Sequence, residues 1–322
     1  MRMTLRTTAV PVSVAAASIL ALTSCADRAG GDEAAAFPTE DITMIVPYDA
    51  GGASDLSART LAAELETELD VSVIVENRSG GAGSVGLDNL ASQDADGYTL
   101  GYLPVETVML GHQGYEIDPA DFDALGQIVS VPATIAVAAD SEYDTLEDLL
   151  EAAASEELSV SNSGTGSIWH AATTALNEEA GTQLSPVPFD GGAPAVNAAV
   201  GGQVDAVVAG VSETAVAAED GRLRVLAILD DERAEAMPDV PTAEELGYDV
   251  NIGGWGAIGA PAGLPEETHE ILVDAISAAA ESDAFVELIE DSGNIPVNVG
   301  PEEFQPFYEE ENSRFESLFA EQ

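Results

Sequence analysis

Three glycine-rich turns, each set between a short apolar run and a stretch of helical character, constrain this chain more than any other feature. They are Pro47-Tyr-Asp-Ala-Gly-Gly-Ala-Ser-Asp55, Ser161-Asn-Ser-Gly-Thr-Gly-Ser167 and Phe189-Asp-Gly-Gly-Ala-Pro194. Strand, tight turn and helix make the unit of an α/β protein, and its repetition calls for mainly parallel sheets covered by helices on both faces. Such turns also leave free backbone N–H groups at the positive end of the following helix, a seat for a carboxylate or phosphate. Three seats in one chain predict capture of a small anion rather than chemistry done to it.

The rest of the chain follows the same grammar. Apolar runs at 42–46, 71–75 and 98–102 read as strands, with helices at 54–69 and 84–92 between them. Leu56, Leu61 and Leu65, with Ala58 and Ala62, supply the apolar face of the first helix. A second series starts near Val131, with strands at 135–139, 158–160, 204–208 and 223–228 and helices at 145–155 and 167–179. Pro194 suits the first position of a further helix. Beyond 250 come a glycine-rich stretch, 253–263, and helices at 266–281, 284–292 and from Pro301. About 285 residues of folded chain exceed one average domain. The expected division is lobe 1 over 37–131, lobe 2 over 132–250, and a segment over 251–322 that crosses the hinge and returns its helices to lobe 1.

Residues 1–24 have a basic start, Arg2 and Arg6, followed by an apolar run too short to span a membrane, the pattern of a signal peptide. The run ends at Leu22-Thr-Ser-Cys25, which resembles a bacterial lipobox and makes Cys25 the expected lipidation site. Cys25 is the only cysteine, so no intrachain disulfide exists. Residues 25–36 suit a flexible tether, and the expected location is the outer face of the cytoplasmic membrane.

Fifty-nine acidic residues face nine basic ones, all of them arginine. Without Arg2 and Arg6 the net charge is −52. A field of that sign repels nucleic acid. It reads as the hydrated surface of a salt-adapted protein. In about 1 M salt the Debye length is ~3 Å, so local donors, not the distant surface, decide what a cleft binds.

In the first turn Gly51 and Gly52 permit tight backbone geometry and Ser54 is the candidate N-cap. The N–H groups of Ala53, Ser54 and Asp55 are expected to hold a carboxylate. Asp55 itself is expected to hydrogen-bond the turn or a facing loop, or to stabilise the helix end as a first-turn acid. Tyr48 either offers its hydroxyl to ligand or packs. Arg59 either forms a structural pair or contacts ligand, and Arg78 is the better basic candidate. Across the cleft, Ser163, Thr165 and Ser167 supply hydroxyls, and Gly164 and Gly166 allow close backbone approach. His170 faces ligand or hinge, or else packs or caps its helix. Asp190, Gly191, Gly192 and Ala193 form the third seat, with Asn197 one turn deeper. A ligand with two carboxylates would place one in the first turn and the other between the second-lobe turns. No cofactor or metal is expected: His112, His170 and His269 are far apart and lack zinc spacing, and no acidic cluster has the spacing of a calcium loop.

Taken together, Ile45-Val-Pro-Tyr-Asp-Ala-Gly-Gly-Ala-Ser-Asp-Leu-Ser-Ala-Arg59, Val75-Glu-Asn-Arg-Ser-Gly-Gly-Ala-Gly83, Asp96-Gly-Tyr-Thr-Leu100, Gly164-Thr-Gly-Ser167 with His170, Pro241-Thr-Ala-Glu-Glu-Leu-Gly-Tyr248 and Trp255-Gly-Ala-Ile-Gly-Ala-Pro-Ala-Gly263 resemble the substrate-binding receptors of tripartite tricarboxylate transporters, also called Bug receptors. The resemblance spans roughly 37–321. It implies a monomeric two-lobe Venus-flytrap protein that closes over a carboxylated small molecule and delivers it to a membrane permease of one large and one small subunit. Two features depart from the pattern. The second turn lacks a further glycine that many relatives carry, and Trp169 puts bulk beside His170.

Two rival functions follow from the same residues. A receptor of this fold can present its ligand to a sensor kinase instead of a permease. A secreted hydrolase would use serine, histidine and aspartate, but the Gly-x-Ser-x-Gly elbow is missing, and the absence of lysine removes phosphate-cradling NTPase chemistry.

Overall fold

The apolar run Ile42–Val46 forms strand β1, buried along nearly its whole length. Gly52, extended at φ −80° and ψ 171°, ends the turn after it, and helix α1 (Ala53–Leu69) begins. The computed structural model describes residues 37–189 and 191–320. The leader, Cys25, the tether and Asp190 lie outside the described residues.

β2 (Val73–Asn77), α2 (Ser84–Ala91) and β3 (Thr99–Pro104) complete the first series, and β1 pairs in parallel with both β2 and β3. The ten-residue strand β4 (Phe122–Val131) then runs to Pro132, after which β5 (Ala133–Ala138) belongs to a second sheet. That sheet gathers β6 (Leu158–Asn162), β7 (Leu184–Pro188), β8 (Ala206–Gly210) and β9 (Leu223–Ile228) in the order β7-β6-β8-β5-β9. The chain returns to the first sheet with β10 (Gly254–Pro261) and β11 (Ile295–Val299), giving β11-β4-β10-β3-β1-β2. Most of the glycine-rich stretch 253–263 is thus an eight-residue strand in the middle of the first sheet, buried at every position.

Two α/β sheets flanked by helices, each with most of its strands running one way, are the architecture anticipated from the turns, and each also holds reversed strands. β6 is parallel to β7 and β8, but β5 runs antiparallel to β8 and β9, and β10 and β11 run antiparallel to their neighbours. Each sheet is therefore mixed. Only β5 in the second sheet and β10 and β11 in the first run against the others, so β1, β2, β3 and β4 share one direction and β6, β7, β8 and β9 share one.

Seven further helices are α3 (Leu146–Ala153), α4 (Ile168–Ala180), α5 (Gly192–Val200), α6 (Val211–Glu219), α7 (Glu266–Ala280), α8 (Asp283–Asp291) and α9 (Pro301–Ala320). α1 buries Ala58, Leu61, Ala62 and Leu65, the i, i+3, i+4, i+7 stripe, whereas Leu56 lies off that stripe and is exposed. α3 starts at a capping box: Thr145 accepts from the Asp148 N–H at 3.1 Å and Asp148 accepts from the Thr145 N–H at 3.0 Å. One core packs α1, α7 and α8 on the first sheet, through residues such as Leu65, Leu272 and Phe285. A second runs without interruption from Leu87 and Met109 through Ile135 and Leu176 to Phe304. Along that seam Trp255 of β10 stands edge-on to Phe304 and Tyr308 of α9, with ring centroids 5.4 and 5.8 Å apart.

Candidate functional site

The parallel strands β1, β3, β6, β7 and β8 all end at one cavity of about 420 Å³, the place where α/β sheets bind ligands. Ala53 and Ser54 reach it from the first turn of α1, Ile168 and Trp169 from α4, Gly191 from the cap of α5, and Ser212 and Glu213 from α6. Four helix N-termini therefore point their positive ends at one space. Val129, Val131, Gly254 and Trp255 form its wall where the connecting strands pass, and Tyr48, Tyr102, Glu106 and Asn294 bring polar groups.

The first turn is held from below by Asp55, which is buried at 2% exposure. Its carboxylate accepts from the Gly51 N–H at 2.8 Å, from Asn77 Nδ2 at 2.8 Å and from Arg59 Nε at 3.0 Å. Burial opposes ionisation of Asp55, but the hydrogen bonds from Arg59, Gly51 and Asn77 and the arginine charge prevail and hold its pKa below the usual carboxylate value. Ser54 is not the N-cap. Gly52 takes that place without any side-chain cap, so Ser54 is the second helical residue. Among the described residues the first-turn N–H groups of α1 consequently have no side-chain acceptor.

Gly51 and Gly52 shape this turn and are exposed, Gly51 at φ 88° where a side chain would strain the backbone. Tyr48 lines the cavity and donates its hydroxyl to Glu106 Oε2 at 2.8 Å. Burial first, and the neighbouring Glu106 charge second, push the Tyr48 phenol well above its ordinary pKa. Tyr102, beside the Ser54 hydroxyl, is pushed up to about 12 by burial. Arg78 is displaced from the role expected of it: it is exposed, paired with Glu76 at 2.7 Å and absent from the cavity lining, because β2 is the edge strand of its sheet. Arg59 is likewise spent on Asp55 at 2.9 Å.

In the second turn Ser163 and Ser167 line the cavity, whereas Gly164, Thr165 and Gly166 do not. Ser167 caps α4, accepting from the His170 N–H at 3.3 Å. The His170 ring faces back into the turn, where Nδ1 accepts from the Gly166 N–H at 3.0 Å, which fixes the neutral tautomer with its proton on Nε2. Burial lowers its pKa further. Among the described residues no serine hydroxyl meets this ring, since the Ser167 contact is to the backbone. Gly166 also accepts from Gln113 Nε2 at 2.8 Å, a contact from the segment after β3 to the second sheet's turn.

In the third turn Gly191 lines the cavity, but Ala193 and Asn197 are exposed and do not. α5 begins at Gly192, so Pro194 is its third residue rather than its first. Gly192 is buried against Glu213: a Cβ built on it would stand 1.6 Å from that carboxylate. Glu213 in turn accepts from the Gly210 N–H at 3.0 Å, capping α6.

Glu106 and Glu213 are the groups that reading by motif misses. Burial raises the pKa of each, opposed at Glu106 by the Tyr48 hydroxyl and by backbone N–H groups including that of Ile168, and at Glu213 by the Gly210 N–H. A signal for Glu106 was present: it is a lone acid in the apolar run 103–110, directly after a strand. Nothing local marks Glu213, Asn294 or Tyr102. Among the described residues no group of His, Cys, Asp and Glu is placed to hold a metal ion, and no helix is long and apolar enough to cross a membrane.

Comparison with known proteins places this geometry in a family. The model described as "Tripartite tricarboxylate transporter family receptor" matches residues 57–322. Protein BugT of Bordetella pertussis is 31% identical over 294 residues, covering 88% of this chain and 90% of its own. MatC from Rhodopseudomonas palustris with bound malate superposes with a TM-score of 0.77 at 27% identity, over 88% of this chain and 100% of that one. An R. palustris protein with adipate gives 0.78 at 28% identity, over 88% and 97%.

Proposed function

The chain belongs to the tripartite tricarboxylate transporter receptor family, and from that premise we propose that it captures a small organic acid between two lobes and hands it to a tripartite permease with a large and a small membrane subunit. The lobes are 37–131 with 251–322, and 132–250, and their closure brings the turn before α1 against those before α4 and α5. The protein acts as a monomer outside the cytoplasmic membrane, tethered through lipid on Cys25, and releases its ligand unchanged.

One observation carries this reading: the uncapped N-terminus of α1 opens on a cavity walled by both sheets, with Asp55 holding its turn from behind. Free first-turn N–H groups at a helix end bind carboxylates. The malate and adipate in the two R. palustris structures support an acid as ligand here. The alternative of presentation to a sensor kinase uses the same cavity, and no feature of the site favours it.

Calorimetry of the purified chain against a panel of organic acids, with chromatography of the mixtures, tests capture and absence of turnover together. Ala53→Pro sharpens the test. Gly52 is already extended, the conformation a following proline requires, so the variant deletes one cavity-facing N–H at the first helical position with little effect on folding. A roughly tenfold loss of affinity is expected, a difference of about 1.4 kcal/mol. A folded variant that binds as tightly as the parent, or sustained product formation, would refute the proposal.

A further inference from the structure

The charges around the cavity do not match a ligand that is only an anion. Among the described residues its lining contains two acids, Glu106 and Glu213, and no arginine, lysine or histidine. The six arginines among the described residues are each paired with an acid elsewhere.

The helix N-termini tell the same story. At α6, Glu213 takes the Gly210 N–H, and the same carboxylate sits against Gly192 at the start of α5. At α4, Glu106 faces the Ile168 N–H. Inside the cavity, therefore, Glu213 stands at the starts of α6 and α5 and Glu106 at that of α4, whereas the acid at α1, Asp55, lies behind its turn and outside the lining, which leaves the α1 amides open to a carboxylate from outside. A second ligand carboxylate would meet two like charges where an anion seat was anticipated.

Asn294 adds a third acceptor: it is 8% exposed, lines the cavity, and its Oδ1 has no partner among the described residues. Turned end for end, that amide would serve an anion instead, so the two glutamates set the sign of the site. Buried carboxylates without a cation are costly to keep.

We propose, building on the receptor reading above, that the ligand is a zwitterion: its carboxylate lies at the N-terminus of α1 and its protonated amine lies between Glu106 and Glu213. The two glutamates are then ligand-binding residues that discriminate an amino acid from a diacid of the same length.

The test is calorimetry of the full chain in about 1 M NaCl, where the surface field is screened, with matched pairs: aspartate and malate, γ-aminobutyrate and succinate, ε-aminocaproate and adipate. Cadaverine serves as a cation without a carboxylate. In at least one pair the amino acid is expected to bind tenfold or more tightly than the diacid. Glu106→Gln and Glu213→Gln are each expected to weaken it about tenfold while leaving the diacid unchanged or improved. Both substitutions preserve size, and glutamine at 213 still accepts from Gly210; unfolding curves without ligand verify the fold, and either variant alone suffices.

Tighter diacid binding in every pair, or amino-acid binding indifferent to both substitutions, would overturn the zwitterion and leave an organic-acid receptor standing. Binding of cadaverine alone, lost in the glutamine variants, would keep the glutamates as a cation site and refute the acid reading. No binding by any probe would overturn both.

Discussion

Asp55→Ala removes one carboxylate from three donors at once, and its cost can be worked from their surroundings. A hydrogen bond to a charged group contributes about 1.5–3 kcal/mol. The three do not add in full. Arg59 is 46% exposed and Gly51 is exposed, so both regain water when Asp55 is lost, whereas Asn77 is part-buried and its Nδ2 also donates to the Tyr48 carbonyl at 3.0 Å. A net loss of about 2–4 kcal/mol is expected, which at ~2 °C per kcal/mol is a fall in Tm of about 4–8 °C. Molar salt should remove only the Arg59 share, because the other two donors are neutral. The pH dependence has a definite sign. The folded pKa of Asp55 is lowered, so its contribution is fully present above the unfolded value near 3.9 and is lost as pH falls through the folded one. Denaturant unfolding of parent and variant should show a constant gap from about pH 8 to 5 that closes below about pH 4. Since Asp55 fixes the turn that presents the α1 amides, ligand affinity should fall at least tenfold as well. A loss under about 0.5 kcal/mol, or a gap that persists in acid, would refute the assignment of Asp55 as the support of the first turn.

Three other expectations are open to simple measurement. The folded pKa of both Glu106 and Glu213 is raised, so each stabilises below its unfolded value and loses that contribution as pH rises; their glutamine variants should be about 1 kcal/mol more stable than the parent at pH 7 without ligand, the gain vanishing near pH 4, as read by thermal unfolding. His170 should titrate below its ordinary value in NMR, with Nε2 carrying the proton, and stability should decline as pH drops from about 6.5 through its folded pKa; a normal titration would remove the His170–Gly166 cap. Arg78→Ala should change stability by less than about 0.5 kcal/mol and leave affinity unchanged, since its ion pair with Glu76 is exposed, and a large loss of binding would restore it to the site.

Much of the fold is legible along the chain because its units are local. The strand at 223–228, the helices near 168, 266 and 284, the Thr145 cap and the glycine at the end of β1 are each specified by neighbours within a few residues. Strands β4 and β11 escape such reading because their pairing is with residues far away, β10 against β4 and β4 against β11. The cap lies two positions before Ser54 for a similar reason: the propensity of serine for caps yields to Gly52, whose extended backbone ends the tight turn.

The cavity divides along the same line. The amide seat at α1 is written in the sequence, since a glycine turn running into a helix exposes N–H groups wherever it occurs. Which charges surround that seat is not. Tyr48 meets Glu106 across 58 positions, the Asp55 cluster draws Asn77 from 22 positions away, and Glu213 finds Gly192 only once α5 and α6 pack together. Local backbone chemistry therefore determined that an acid can dock, while long-range packing decided that the arginines are spent elsewhere and two glutamates wait opposite, because electrostatic partners are chosen by distance in space.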